Sequence, residues 1–246
     1  MRIPIIQGTI DRRILVNYRV DPDTLAQILP PPFRPKRIHG FGMAGICLIR
    51  LKNIAPRFFP SALGISSENA AHRFAVEWDQ AGRTEQGVYI PRRDTSSRLN
   101  AFAGGRLFPG VHHHARFQVC EQADHYRVDL DSDDRRTHVA VEGSLAADFP
   151  SDSVFASLQE ASDFFETGSL GYSDGARPNE FDGLELRSLN WQVEPLKIER
   201  VQSSYFEDRR LFPPGTVELD SALLMRGIRH QWIGRETLRA EFAVTQ

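Results

Sequence analysis

The densest run of chemically capable side chains lies between Gly87 and Arg116. Arg92, Arg93, Arg98, Arg106 and Arg116 fall there with His112, His113 and His114, beside the pair Gly104-Gly105. Arginine's planar fork matches a carboxylate or phosphate. Glycine lets backbone approach a ligand closely. Convergent arginines beside glycines therefore predict an anion pocket. The plainer alternative is a solvated loop tied down by Arg–Asp pairs, for which Asp94 is available.

The three histidines also raise a metal reading. On a strand, His112 and His114 point the same way, a spacing found in zinc and iron sites. A third ligand would have to come from Glu68, His72 or Glu77. No second Cys/His cluster supports this, and no metal or other cofactor is expected. Glu68 and His72 share strand parity, so they could form an acid–base pair. A core histidine bonded to a carboxylate is the competing reading. Gly104-Gly105-Arg106 lacks the Lys-Ser/Thr of a phosphate loop, and there is no Gly-x-Ser-x-Gly elbow. Cys47 sits in an apolar strand and reads as core rather than nucleophile.

The elements that must position these groups are mostly short strands. Ile14–Tyr18, Phe41–Ile54, Ala70–Trp78, Gly87–Ile90 and Val111–Cys120 are strand candidates by alternation or apolar content. His125–Leu130 and Thr137–Leu145 flank Asp131-Ser132-Asp133-Asp134 as a hairpin. Later candidates are Leu184–Val193, Lys197–Phe206, Thr216–Met225 and a final pair around Trp232. Two helices are credible. Asp21–Leu29 has a capping Asp21, Pro22 in its first turn and Pro30-Pro31-Pro32 as its stop. Val154–Thr167 repeats apolar residues at helical spacing, with Asp152 or Ser153 as cap and Gly168 at its end. Strands and helices do not alternate as in a doubly wound sheet. The expected fold is α+β and mostly antiparallel β, a barrel or sandwich with peripheral helices. One domain spanning 1–246 is expected.

The chain has 246 residues, 41% hydrophobic and 25% charged, with formal net charge −2. That composition is ordinary for a globular protein, large enough to bury a core without disulfides. Two cysteines, Cys47 and Cys120, exclude a disulfide scaffold. The longest apolar run, Met43–Ile49, is far too short to span a membrane, and the N-terminus lacks a secretory pattern. Near-neutral charge argues against nucleic acid as a partner. A cytoplasmic location is expected. Lysine is scarce: Lys36, Lys52 and Lys197 stand against 27 arginines.

Several segments together carry a family resemblance. They are Arg12–Asp21 with the helix ending at Pro30-Pro31-Pro32, Ser66-Ser67-Glu68-Asn69, Gly87–Asn100, and Gly104–His114. The chain resembles the bacterial YqjF-like proteins, relatives of acetoacetate decarboxylase. The resemblance implies a cone-shaped antiparallel β-barrel with peripheral helices, an enclosed apolar pocket and a homo-oligomer. The decarboxylase uses a Schiff-base lysine beside a second lysine, which with the apolar site depresses the first one's pKa. The matching stretch here is Ala103-Gly104-Gly105-Arg106-Leu107-Phe108. Gly105 stands at the nucleophile and Arg106 at its neighbour. Arginine does not deprotonate in proteins, which argues against Schiff-base decarboxylation unless a remote lysine reaches in. By the same resemblance, Glu68 matches a pocket glutamate and Arg13, or its neighbour Arg12, a pocket arginine. A second pocket glutamate would fall near Met43-Ala44, where there is no acid.

Two functions remain in view. One is a lyase- or dehydratase-type enzyme on a small organic or keto acid, with Glu68 and His114 as proton-transfer groups. Arg13, Arg92, Arg93, Arg98, Arg106 and His112 would then hold the ligand. The other is a non-catalytic binding protein for a small organic anion, which explains the missing lysine without new chemistry.

Overall fold

The computed structural model describes residues 4–60, 64–105 and 109–240. Fourteen strands form one hydrogen-bonded sheet that curls into two rings. The strands are β1 (Ile6–Val20), β2 (Arg34–Pro35), β3 (Arg37–Ile38), β4 (Phe41–Pro56), β5 (Ile65–Gln80), β6 (Arg83–Thr95), β7 (His112–Gln122), β8 (His125–Ser132), β9 (His138–Leu145), β10 (Leu170–Asp174), β11 (Glu180–Ser188), β12 (Glu194–Ser203), β13 (Val217–Gly234) and β14 (Leu238–Arg239). The helices are α1 (Pro22–Ile28), α2 (Arg98–Ala103) and α3 (Leu158–Thr167).

The larger ring runs β1–β4–β5–β6–β7–β8–β9–β12–β13 and returns to β1. In the smaller ring, β10 and β11 bridge directly from β6 to β13. Pairing is antiparallel except where β6 meets β7 and β10. The mostly antiparallel α+β expectation therefore holds.

Strands β1, β4, β5, β6 and β13 belong to both rings. Period-two alternation sends their side chains to opposite cores. Ile14, Val16, Ile46, Leu48, Phe74, Val76 and Leu224 pack in the larger core with Val128, Val141 and Leu196. Leu15, Cys47, Ala75, Leu223 and Met225 turn the other way, to a smaller core with Phe155 and Phe165 from the α3 region. Strands buried on both faces read as continuous apolar runs, which Met43–Ile49 and Ala222–Met225 do.

Several boundaries differ from the sequence reading. β6 continues past Pro91 to Thr95. A prolyl nitrogen without its hydrogen is tolerated where the strand register shifts, and the β5–β6 register shifts between His72 and Phe74, beside this proline. Thr216–Met225 and the Trp232 pair are one long strand, β13. α3 starts at Leu158, capped by Ser157, whose hydroxyl accepts from the Glu160 N–H. Asp220 holds the preceding turn by accepting from Val154 N and Ser153 Oγ. α2 and β10 lie in segments the sequence reading left irregular.

His72 is fully buried on the larger-core face of β5, stacked against Tyr205 at 4.7 Å between ring centroids. Among the described residues, neither ring nitrogen has a hydrogen-bond partner. Burial, and then the positive charge of Arg92, push its pKa down to about 3. The unfolded chain protonates this group near 6.5, so the unfolded state binds more protons below that pH. Stability is lost as pH falls from about 6.5 towards 3, by up to ~1.4 kcal/mol per unit. His72→Phe should flatten that acid limb by one proton's share, read from urea midpoints at pH 7, 5 and 4. An unchanged limb would contradict the assignment.

The smaller ring closes through Gly87. A Cβ there would lie 2.3 Å from the Leu170 carbonyl oxygen, so only glycine lets β10 approach. Gly87→Ala should cost ~1–3 kcal/mol by overpacking. It should also speed hydrogen exchange in β10 ahead of β8 and β9.

Candidate active site

The smaller ring is not filled. A cavity of about 260 Å³ lies between its strands and α3, and a second of about 120 Å³ adjoins it past Arg93. Ligand pockets commonly run about 300–1,000 Å³, so this space suits a small molecule.

Strand register brings the lining together. Leu15, Cys47, Ala71, Arg93 and His112 form one cross-strand row over β1, β4, β5, β6 and β7. The next row holds Asn17, Gly45 and Arg73. Gly45 is the gap that Arg73 crosses: a Cβ there would lie 3.2 Å from Arg73 Nη2. Arg73 Nη2 then donates to Asn17 Oδ1 at 2.5 Å, and its guanidinium lies 4.7 Å over the Phe165 ring. Arg93 Nε donates to Ser173 Oγ at 3.2 Å. Arg13 Nε donates to Cys47 Sγ at 3.0 Å, and its guanidinium faces Trp191.

Three arginines therefore share the cavity, and their hydrogen-bond partners are neutral. Among the described residues, none of them forms an ion pair with a carboxylate. Burial pulls Arg73 and Arg93 down to about 10, the direction expected of cations without counter-ions. Both stay charged at neutral pH. Lys36 sits at the cavity rim, its Nζ 3.2 Å from Thr167 Oγ1 and 4.2 Å over Phe164. Burial lowers its pKa as well.

His112 faces the inner cavity beside Arg93. Burial, then Arg93, depress its pKa to about 4, so the imidazole is neutral near pH 7. Its Nδ1 lies 3.0 Å from the Gly110 carbonyl oxygen. A carbonyl can only accept, so Nδ1 carries the proton and Nε2 is left as an acceptor.

The glycines of this region serve side chains. A Cβ on Gly104 would strike the His112 ring at 2.4 Å, and one on Gly110 would reach Arg93 Nε at 3.0 Å. The sequence reading gave them to backbone–ligand contact; here they make room for the imidazole and guanidinium.

Of the residues singled out from the sequence, Arg13, Arg93 and His112 meet in the cavity. Glu68 lies elsewhere, between Arg12 at 2.6 Å and Arg50, with Glu121 completing the cluster. His114 pairs with Asp133 at 2.7 Å. Arg92 is neutralised by Asp94 and Asp134. Arg98 is exposed on α2. Arg106 lies outside the described residues. Each departure follows from parity or pairing: Arg12 and Glu68 project from the opposite strand faces to Arg13 and Arg73, and Arg92 precedes Arg93 by one. Sequence reasoning missed Arg73, Lys36 and the role of Cys47 in the lining. Arg73 stood in plain view beside Ala71 and Ala75, small residues that leave space on that face.

Among the described residues, His112 and His114 belong to no group of three ligand atoms at metal spacing. Among the described residues, one group has ligand spacing: His125, Glu142 and Glu199, half-buried to exposed on β8, β9 and β12.

Comparison with known proteins agrees with the fold. Acetoacetate decarboxylase from Legionella pneumophila superposes with a TM-score of 0.63 at 12% identity, covering 95% of this chain and 87% of that one. An acetoacetate decarboxylase-like enzyme from Sphingomonas wittichii RW1 gives 0.59 at 12%, covering 98% and 94%. The enduracididine biosynthesis enzyme MppR, complexed with pyruvate, gives 0.59 at 11%, covering 98% and 91%. At such identities the likeness is one of fold. No curated protein sequence matches the chain. The family model DUF2071, described as an uncharacterized conserved protein, matches residues 8–224, and the chain belongs to that family.

Proposed function

We propose that the smaller ring binds a small oxo or hydroxy carboxylic acid and carries out a lyase- or dehydratase-type step on it. The observation that carries this reading is the set of three cavity arginines without a carboxylate partner. Buried charge without a counter-ion is costly, and a bound anion relieves that cost. Arg73 and Arg93 hold the carboxylate from adjacent strands. Arg13, from the facing strand, stabilises negative charge that develops on the ligand's oxygen as a proton leaves the neighbouring carbon. His112 offers a neutral Nε2 to accept a hydrogen bond from a ligand hydroxyl or to take that proton. No cofactor enters this scheme.

The structural neighbours support the class of ligand. One is named a decarboxylase of a keto acid, and another is described with pyruvate bound. Schiff-base chemistry at the family position finds no support, because Gly105 has no side chain. Lys52 pairs with Asp11 at 2.9 Å and Lys197 is exposed, and neither lines the cavity; Lys36 does, at the rim, where Thr167 and the face of Phe164 hold its ammonium.

Non-catalytic binding is the second reading, favoured by the low basicity of His112. The two readings separate in D2O. Catalysis predicts deuterium entering the carbon next to the carbonyl of a bound oxo acid, lost in His112→Asn. Binding alone predicts thermal stabilisation by the acid without exchange.

For affinity, Arg93→Met should weaken binding of small oxo acids at least about tenfold, as expected when a hydrogen bond to a charged group is lost. Arg98→Ala and Glu68→Gln should leave it unchanged, measured by calorimetry. Equal effects of all three would sink the site assignment. Arg73→Met should unfold at the same temperature as the parent or higher when no organic acid is present, because it removes an uncompensated buried charge. The same variant should lose the rise in Tm that acids give the parent. A clear fall in Tm without acid would show that Arg73 serves the fold instead.

A further inference from the structure

Cys47 sits on the cavity wall, between Leu15 and Ala71 in the row that ends at Arg93 and His112. A buried thiol in an apolar strand is ordinarily a packing group. Two observations separate this one from that role. Arg13 aims its Nε–H at Sγ, 3.0 Å away. Arg73, only 5% exposed and lining the same cavity, has no hydrogen-bond partner for its Nε among the described residues. An orphaned guanidinium N–H on a cavity wall points to an anionic ligand. Accessible electropositive surroundings are those in which cysteine reacts.

We propose that Cys47 is a covalent attachment point for the ligand, its Sγ adding to the carbonyl carbon of a bound 2-oxo carboxylate. The proposal rests on the arginine cavity binding such acids. A sulfur electron pair forms the S–C bond, and the carbon–oxygen π pair moves onto oxygen. That oxygen takes the proton given up by the thiol, so the product is a thiohemiketal. Nothing is oxidised or reduced, and no co-reactant is consumed. The addition reverses by the same path. Arg73 and Arg93 fix the carboxylate, while Arg13 lies beside both the sulfur and the new oxygen.

The test uses the full chain and the exposed Cys120 as an internal reference thiol. Alkylation rates with iodoacetate and iodoacetamide are measured by mass spectrometry at each cysteine. A thiol beside uncompensated arginines favours the carboxylate reagent, so the iodoacetate-to-iodoacetamide ratio at Cys47 should exceed that at Cys120 by about tenfold. The excess should disappear in Arg73→Met. With 2-13C-labelled pyruvate, the parent should show a tetrahedral-carbon resonance that is absent from Cys47→Ala. A Cys120-like ratio, an unreactive Cys47, or identical 13C spectra for the parent and Cys47→Ala would each overturn the proposal. Calorimetry on Cys47→Ala distinguishes the two levels. If pyruvate still binds that variant, the anion site stands and only the covalent step is lost. If pyruvate binds neither protein, the site reading falls with it.

Discussion

The arrangement depends on five shared strands that are walled on both faces. β1, β4, β5, β6 and β13 take part in both rings, so their buried residues face one interior or the other. A one-residue slip would exchange the two sets of side chains and place charge in the larger, apolar core. Register is therefore fixed from both sides. That rigidity lets the rows Leu15–Cys47–Ala71–Arg93–His112 and Asn17–Gly45–Arg73 be held without a loop from outside. Functional groups on strands of a braced sheet keep their positions better than groups on loops.

The two interiors treat charge differently, and adjacent residues show it. Arg12 projects to one side and meets Glu68 and Glu121. Arg13 projects to the other and meets a thiol. Arg92 finds Asp94 and Asp134, whereas its neighbour Arg93 finds a serine hydroxyl. Each pair comes from the same strand and the same residue type. The difference lies in what the facing strands supply. On one face carboxylates complete a structural network; on the other, Glu166 and Glu185 also line the cavity, but among the described residues Arg13, Arg73 and Arg93 pair with neither.

The fold was legible in the sequence where alternation was clean. β5 and β7 through β9 lie where their patterns place them, and α1 is capped and stopped by the residues that signalled it. The double ring was not legible, because it depends on which strand pairs with which. β10 is five residues long and carries no pattern of its own; its place follows from a close approach at Gly87. The arginine-rich segment supplies Arg93 and His112 to the cavity and Arg92 to an ion-pair network. Arg92 and Arg93 are indistinguishable by type, and only the register against β7, which pairs Arg93 with His112, assigns the second to the cavity. Arg73 was hidden for the opposite reason. It sits in a cleanly alternating strand, and what buries it comes from elsewhere in the chain, including Phe165 of α3.

The shortage of lysine acquires a physical meaning in this cavity. Burial pulls Arg73 and Arg93 down to about 10, yet leaves them cationic at neutral pH because arginine starts so high. A lysine under the same downward pull starts two units lower and would lie near neutrality, able to shed its proton and act as an amine. Lys36 feels that pull only at the rim, where Thr167 and the face of Phe164 hold its ammonium. An interior lined with arginine is thus committed to permanent positive charge, and Lys36, held at its rim, is the lysine among its lining residues. Cys47 stands on the cavity wall among those arginines. The positive charge that would help a lysine shed its proton is also the charge that favours attack by sulfur on a bound anion.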